Sequence, residues 1–481
     1  MDWLDKISQF WPHLAAAFDF LAALLASAHA LLHKRDTRAA TLWIGFIWLM
    51  PVVGPLLYLA LGVNRIRRRA LELGVHKTRL RGMPPNLGEP EHEGAEHLKL
   101  LARVVSRVVT RPLTPGNHVQ PLVNGDEAFP AMLAAIESAK TSISLVTYIF
   151  DNDASGRQFA DALGRAVKRG VAVRVLIDAA GTRYSWPSII HRLNAEHVPC
   201  AKFLPASLFT PWRVATINLR NHRKIMVTDG QTAFTGGMNI RHGNVLADHP
   251  ASPVQDLHFR VEGPVVTQLQ DAFVNDWAFS TGEVLDGEAW FPEPRFHPRG
   301  VVARVITDGP DADFEKLRWT LLAALAEAQT SVQIVTPYFL PDPALVSALN
   351  LAALRGVRVD IILPAKSNLP FVHWASRAMW WQVLEHGCHI WLAPPPFDHS
   401  KLMVVDGHWV LLGSANWDPR SLRLNFEFNV ECYDMELARR LQEVVDAKRE
   451  AAHLRTLEEM DARPLTARLR DGIARLLTPY L

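Results

Sequence analysis

Two tandem α/β domains behind an N-terminal membrane region are the architecture this sequence predicts. Three observations predict it. A stretch of 25 residues, Ala39 to Val63, carries no charge. The remainder says the same thing twice, and within each copy short β-branched runs alternate with helical runs. At 481 residues the chain is long enough for about two to four domains. Its 21% charged and 49% hydrophobic residues are those of a globular protein. A formal net charge of +2 gives no whole-protein field that would attract nucleic acid. Cys200, Cys388 and Cys432 are odd in number and lack C-x-x-C spacing, so neither a disulfide framework nor a zinc site is indicated.

The elements follow in chain order. Residues 1–69 read as a membrane anchor with two hydrophobic segments, about 10–32 and 39–63. The second exceeds the ~20 residues needed to cross the hydrocarbon core. The first carries His13, Asp19 and His29 and reads as a weaker span or an interfacial segment. Asp2 and Asp5 offset Lys6, so the start lacks the positive region of a signal peptide. Basic residues flank the second segment, with Arg65, Arg67, Arg68 and Arg69 followed by Lys77, Arg79 and Arg81. They place the body on the cytoplasmic side, against an anionic leaflet. Lys34, Arg35 and Arg38 between the segments conflict with that orientation, unless the two form a shallow hairpin that dips into the leaflet without crossing it.

A polar linker over 70–117 leads to domains expected at 118–297 and 298–481. The offset between copies falls from 189 (Ser142 to Ser331) through 186 (Asp178 to Pro364) to 177 (His222 to His399). Steady shortening is what loop deletions in a duplicated domain produce. Each copy runs helix, buried strand, helix, buried strand, the pattern of βα units around a mostly parallel sheet. Each then reaches the motif His-x-Lys-x-x-x-x-Asp, at His222/Lys224/Asp229 and His399/Lys401/Asp406. The Asp-Gly pair ending each motif marks a strand turn, so histidine and lysine, two apart at a strand start, share one face.

These residue types suit phosphodiester chemistry. That reaction requires a nucleophile for phosphorus, a proton donor for the leaving alkoxide and positive charge for the non-bridging oxygens. Two imidazoles and two ammonium groups supply all three without a metal or another cofactor. Asp256 and Glu427, 34 and 28 residues after the motif histidines, are candidates to orient the rings. Asn239 and Asn416, closing the runs GGMN and GSAN, are candidate phosphate ligands beside Lys224 and Lys401. Asp229 and Asp406 belong to the motif, yet each precedes a glycine, where fixing the turn is the simplest role. His258, His373, His389 and His408 have no recurring context and read as ordinary surface or core histidines.

NHRKIMVTDGQTAFTGGMNI and DHSKLMVVDGHWVLLGSANWDPRS resemble the two signatures of the phospholipase D superfamily, and more closely those of bacterial cardiolipin synthases. MPVVGPLLYLALGVNR, from Met50 to Arg65, resembles that subfamily's amino-terminal region. The resemblance implies a pseudo-twofold pair of α/β/α sandwiches with one active site at their interface. It also implies ping-pong phosphatidyl transfer from one phosphatidylglycerol to another, through a phosphatidyl-histidine on His222 with His399 as acid and then base. A bacterial inner-membrane location is implied too. Because the pairing is internal, catalysis requires no second subunit.

Three stretches are candidate bilayer access elements: Ser207–Val214, Trp374–Trp381 and a basic amphipathic terminal helix with Leu465, Leu469, Ile473 and Leu476. That helix either packs on the body with its arginines in solvent or lies in the interface. The rival functions are a hydrolase with water as acceptor, a transferase using phosphatidylethanolamine, a nuclease and an inactive lipid-binding scaffold. Both His-Lys pairs and both asparagines argue against the scaffold, and the hydrophobic segments with the small net charge argue against the nuclease.

Overall fold

The computed structural model describes residues 2–34, 37–62, 96–205, 219–310, 313–476 and 478. The chain divides into two compact units, one of residues 1–72 with 206–218 and one of 73–205 with 219–481. The basic stretch at 65–81 and the access segment at 207–214 lie outside the described residues.

In the first unit the two apolar segments differ from expectation: the first is the longer continuous helix. The first is a continuous helix, Asp2–His33, and its part Phe10–His33 is long and apolar enough to cross a membrane. The second is broken. Its helix Thr37–Leu49 stops before Pro51, whose ring excludes helical continuation, and Val52 takes a positive φ of 64°. Thirteen residues rise about 20 Å, short of a ~30 Å hydrocarbon core. The chain resumes as Val53–Leu57 and Tyr58–Gly62 and folds back on the first helix. Polar residues that argued against the first span have partners: Asp19 accepts the Val52 amide at 2.6 Å, and His29 Nδ1 lies 2.8 Å from the Tyr58 hydroxyl. Ala23, Ala26 and Ala30 let Ile47 and Tyr58 approach closely, a small-residue interface of the kind membrane helices use.

The described residues of the second unit are built on a 15-stranded sheet and a separate two-stranded one. Its first half supplies β1 (Thr114–Val123), β2 (Ser142–Thr147), β3 (Ala172–Asp178), β4 (Cys200–Phe203), β5 (Ile225–Thr228), β6 (Thr232–Gly236), β7 (Val254–Gln255) and β8 (Leu257–Glu262). The second half supplies β9 (Val301–Asp308), β10 (Ser331–Val335), β11 (Arg358–Pro364), β12 (His389–Ala393), β13 (Phe397–Asp398), β14 (Leu402–Val405), β15 (Trp409–Gly413), β16 (Glu427–Tyr433) and β17 (His453–Arg455). The order β1-β8-β6-β5-β2-β3-β4 in one half is repeated as β9-β16-β15-β14-β10-β11-β12 in the other. β1 pairs antiparallel with β9, so the halves form one continuous sheet.

Each half-sheet is mixed, which corrects the mostly parallel expectation. Only β2, β3 and β4, and β10, β11 and β12, run parallel. The helices Ala154–Lys168 and Pro343–Leu354 make the β2–β3 and β10–β11 crossovers. The motif hairpins β5–β6 and β14–β15 are antiparallel, as a three-residue connection requires. Helices cover both faces: Val265–Thr281 packs on β2, β5, β8 and β9, and Met435–Glu450 is its counterpart on β10, β14 and β15.

The expected linker is partly structural. Helix Leu98–Val108 buries Leu98, Leu101, Ala102 and Val105 in the second half's core, and β1 begins at Thr114 rather than after 117. The spacing i, i+3, i+4, i+7 is that of a one-sided helix. Gly, Pro and Glu earlier in the stretch hid it.

Candidate active site

The motif begins just before a strand and ends just after it. His222 and Lys224 precede β5, and His399 and Lys401 precede β14. Asp229 and Asp406 follow these strands, at positive φ of 51° and 52° with Gly230 and Gly407 also positive, the pair of left-handed residues a type I′ turn needs. Asp229 accepts the amides of Lys140, Thr141 and Ser142; Asp406 accepts those of Gln329, Thr330 and Ser331 and a 2.7 Å bond from His97. Both therefore brace the loop entering the neighbouring strand, a strand's length from the imidazoles.

The two motifs meet across the pseudo-twofold. β13, which leads into His399, pairs parallel with β7, which leads into Asp256. Likewise Asn221 of the first half bridges to Phe426 of the second, and the amide of His222 donates to the carbonyl of Phe426 at 2.9 Å. Each histidine is thereby delivered to the other half's carboxylate. His222 Nδ1 lies 3.0 Å from Glu427 Oε2, and His399 Nδ1 lies 2.8 Å from Asp256 Oδ2. The ring centroids stand 6.5 Å apart, edge to face. With both Nδ1 atoms committed, the Nε2 atoms are left for a reacting group.

Lys224 and Lys401 fold back to donate to the carbonyls of His222 and His399, at 2.6 and 2.5 Å. Both are buried, and burial pulls their ammonium groups down to about 7 and about 8. Burial also lowers His222, against the pull of Glu427. It drives His399 well below the usual range, helped by the charges of Lys401 and Lys224. Positive charge is thus held in this buried site at a cost, and a bound anion relieves that cost.

The halves differ at the carboxylates. Ser414 donates to Glu427 Oε2 at 2.5 Å, and Asn425 donates to Oε1 at 3.1 Å. Burial pushes Glu427 up, but His222, Lys224 and the serine outweigh it and hold Glu427 below its ordinary value. The residue matching Ser414 is Gly237, where an added Cβ would stand 2.3 Å from Asp256 Oδ1. Asp256 lacks a serine partner and accepts the Leu257 amide at 2.8 Å. Burial pushes it up to about 7.

Both asparagines are buried, two residues beyond Gly237 and Ser414. Asn239 Oδ1 accepts the Ile149 amide at 3.1 Å, which leaves its nitrogen to donate elsewhere. Asn416 Oδ1 is buried with no partner among the described residues. His258 is also buried, two residues beyond Asp256, and desolvation lowers it to about 4, so it is a neutral core group. His373, half-buried, stacks edge-on to Trp380. Sequence reasoning missed Ser414, which lay inside the GSAN run it had noted, and Tyr148, whose ring stands 5.2 Å from His222 and 5.6 Å from the Lys224 ammonium. It missed Arg223 as well: this buried guanidinium pairs with Asp276 at 2.7 Å and donates to the Glu427 carbonyl at 3.1 Å, tying the halves at the site. Its position inside the motif was the available signal. Among the described residues no group of three or more His, Cys, Asp or Glu side chains could hold a metal ion.

Comparison with known proteins places this geometry. A family profile described as cardiolipin synthase, PLD-like domain, matches residues 132–277 and 321–448, and one described as phospholipase D-nuclease N-terminal matches 21–62. The cardiolipin synthase of Oceanobacillus iheyensis is 32% identical over 95% of this chain and 96% of its own. The major cardiolipin synthase of Bacillus subtilis is 31% identical over 97% and 99%. Among solved structures, a phosphatidylserine synthase from Haemophilus influenzae shares the fold with a TM-score of 0.62 at 16% identity, covering 79% of this chain and all of that one. The two crossed His-Lys pairs stand on the fold these relatives define, and the chain belongs to the cardiolipin synthase family of phospholipase D-like proteins.

Proposed function

We propose that this phosphatidyltransferase joins two phosphatidylglycerol molecules into cardiolipin and glycerol, with His222 as nucleophile and His399 as acid and base. Full-length similarity to cardiolipin synthases supports the overall reaction. The observation that carries the division of labour is the unequal pair of carboxylates. Glu427 is held ionised beside His222 and stabilises the positive charge that grows on this ring as Nε2 attacks phosphorus. Asp256 is held less firmly as an anion and leaves His399 freer to take and give a proton.

In the first step Nε2 of His222 bonds to phosphorus, the bond to the glycerol oxygen breaks, and His399 protonates that oxygen. Burial and the neighbouring lysines disfavour the acid form of His399; the phosphodiester's negative charge favours it, so His399 takes up a proton from solvent as the substrate binds. In the second step the headgroup hydroxyl of another phosphatidylglycerol gives its proton to His399 and attacks phosphorus, and the bond to His222 breaks. Lys224, Lys401, Asn239 and Asn416 hold the non-bridging oxygens in both steps. The ammonium groups supply the positive charge directly.

The chain is membrane-associated, with Phe10–His33 as its long apolar helix. We place the catalytic unit on the cytoplasmic side of a bacterial cell membrane because seven basic residues follow the apolar region between Arg65 and Arg81. The test is mass spectrometry of products from pure protein in phosphatidylglycerol vesicles. Cardiolipin with equimolar glycerol is expected, whereas phosphatidic acid without cardiolipin would establish a hydrolase.

A further inference from the structure

The C-terminal helix Leu465–Leu476 is packed with its apolar side outward. Its buried residues are Asp471 and Ala474. Asp471 is fully enclosed and receives two bonds from Arg377, at 2.7 and 2.9 Å, one from Arg463 at 2.9 Å and two from Arg470, at 3.1 and 2.9 Å. Ala474 joins Leu340, Val372 and Ala375 in a small core, and the Arg470 guanidinium sits 4.6 Å from the Trp374 ring centre. This polar anchor fixes the rotation of the helix. At 100° per residue, Leu465, Leu469, Ile473 and Leu476 fall within one narrow stripe roughly opposite it, and they are 69, 58, 65 and 78% exposed. Packing driven by burial alone would turn those four side chains inward.

We propose that this stripe is a docking face for the surface of an anionic phospholipid bilayer, which seats the catalytic site at the lipid–water boundary. The inference rests on the lipid-transfer reading above. Charge selects the occupant: Arg468 and Arg475 are exposed along the helix, and its one acidic residue, Asp471, is consumed inside. An apolar stripe with arginines beside it is the composition of an interfacial helix. On the helix Pro370–Arg377, which packs against the buried side, Phe371 and the preceding Leu369 are also open to solvent, at 54 and 45%. The packed side of the helix leads toward the chemistry. Tyr338 packs on the Ala474 core, its ring lies 6.2 Å from Phe397, and Phe397 lies 6.1 Å from His399.

The test uses the full chain reconstituted in phosphatidylglycerol vesicles, where the N-terminal apolar helix remains present in every variant. Leu469→Ser combined with Ile473→Ser is expected to lower cardiolipin formation from the vesicles about tenfold. Turnover of a monomeric short-chain phosphatidylglycerol, and the melting temperature, should stay unchanged, and Leu469→Met with Ile473→Met should preserve activity on both substrates. Equal activity of the serine variant and wild type on vesicles overturns the docking face; so does an equal loss on both substrates, which marks an ordinary packing role. A wild-type chain that makes no cardiolipin from either substrate refutes the proposed reaction instead. Docking is then read from a nitroxide on Ile473→Cys in a Cys200→Ser background. Shielding from a water-soluble relaxation agent on vesicle binding supports the face. A label that stays water-exposed, or that couples to a second copy of the chain, overturns it.

Discussion

The two halves of the catalytic unit repeat one strand order but solve one problem differently. In the first half a glycine, Gly237, faces a short carboxylate, Asp256; in the second a serine, Ser414, faces a carboxylate one methylene longer, Glu427. The shorter chain holds its carboxylate close to the neighbouring backbone, so no side chain fits at 237. The longer one leaves room for a hydroxyl that donates to it. The matched pairs give the two imidazoles unequal partners, one firmly ionised and one pushed up to about 7. This inequality within a symmetric fold suits the unequal roles that the proposed mechanism asks of the two rings.

Removing each ring should have the largest effect. His222→Ala is expected to abolish turnover of every phosphodiester. His399→Ala should lose roughly 10²–10⁴-fold on phosphatidylglycerol. It should recover burst release of leaving group from a nitrophenyl phosphodiester, whose departure needs no proton. Recovery by His222→Ala rather than His399→Ala would reverse the assignment.

Substituting the small residues beside the carboxylates should have smaller, unequal effects. Gly237 has no positive φ, so Gly237→Ala strains no backbone. Its methyl group would displace Asp256, and an ångström-scale misplacement of the acid is expected to cost about 10²-fold in cardiolipin formation. Ser414→Ala removes one hydrogen bond to a charged group and should cost about tenfold. Equal losses would show that the halves are interchangeable at this point.

The motif aspartates should matter least to chemistry. Asp229→Ala and Asp406→Ala are expected to destabilise the fold by about 1–3 kcal/mol each, with turnover per folded molecule changed less than twofold. Burial raises both carboxyls, but the loop amides outweigh it and hold them below the ordinary value. Their stabilisation is therefore complete above the unfolded value near ~3.9 and is lost as pH falls through the lower folded one. The gap between variant and wild type, followed by thermal melting, should close on acidification.

Much of this was legible before any coordinates. Paired His-Lys motifs at a falling offset, the Asp-Gly turns and the recurring carboxylates named the residues around the site, because each is a local pattern of spacing and residue type. The helix Leu98–Val108 was hidden by the composition of the stretch before it. The order of the apolar segments was reversed because hydropathy counts charges, whereas Pro51 decides helix length and Asp19 and His29 find partners.

By itself, then, the sequence determined the duplication, the chemistry its side chains can perform and the apolar start of the chain. Only the tertiary structure decided the partners. β7 pairs with β13, and Asn221 with Phe426, so each histidine receives the other half's carboxylate, across 205 residues for His222 and Glu427 and 143 for His399 and Asp256. Pairing at that separation follows from strand register across an interface, and no local spacing encodes it. The same holds for the C-terminal helix: its periodicity showed an apolar face, and Asp471 among three arginines decided that the face points out.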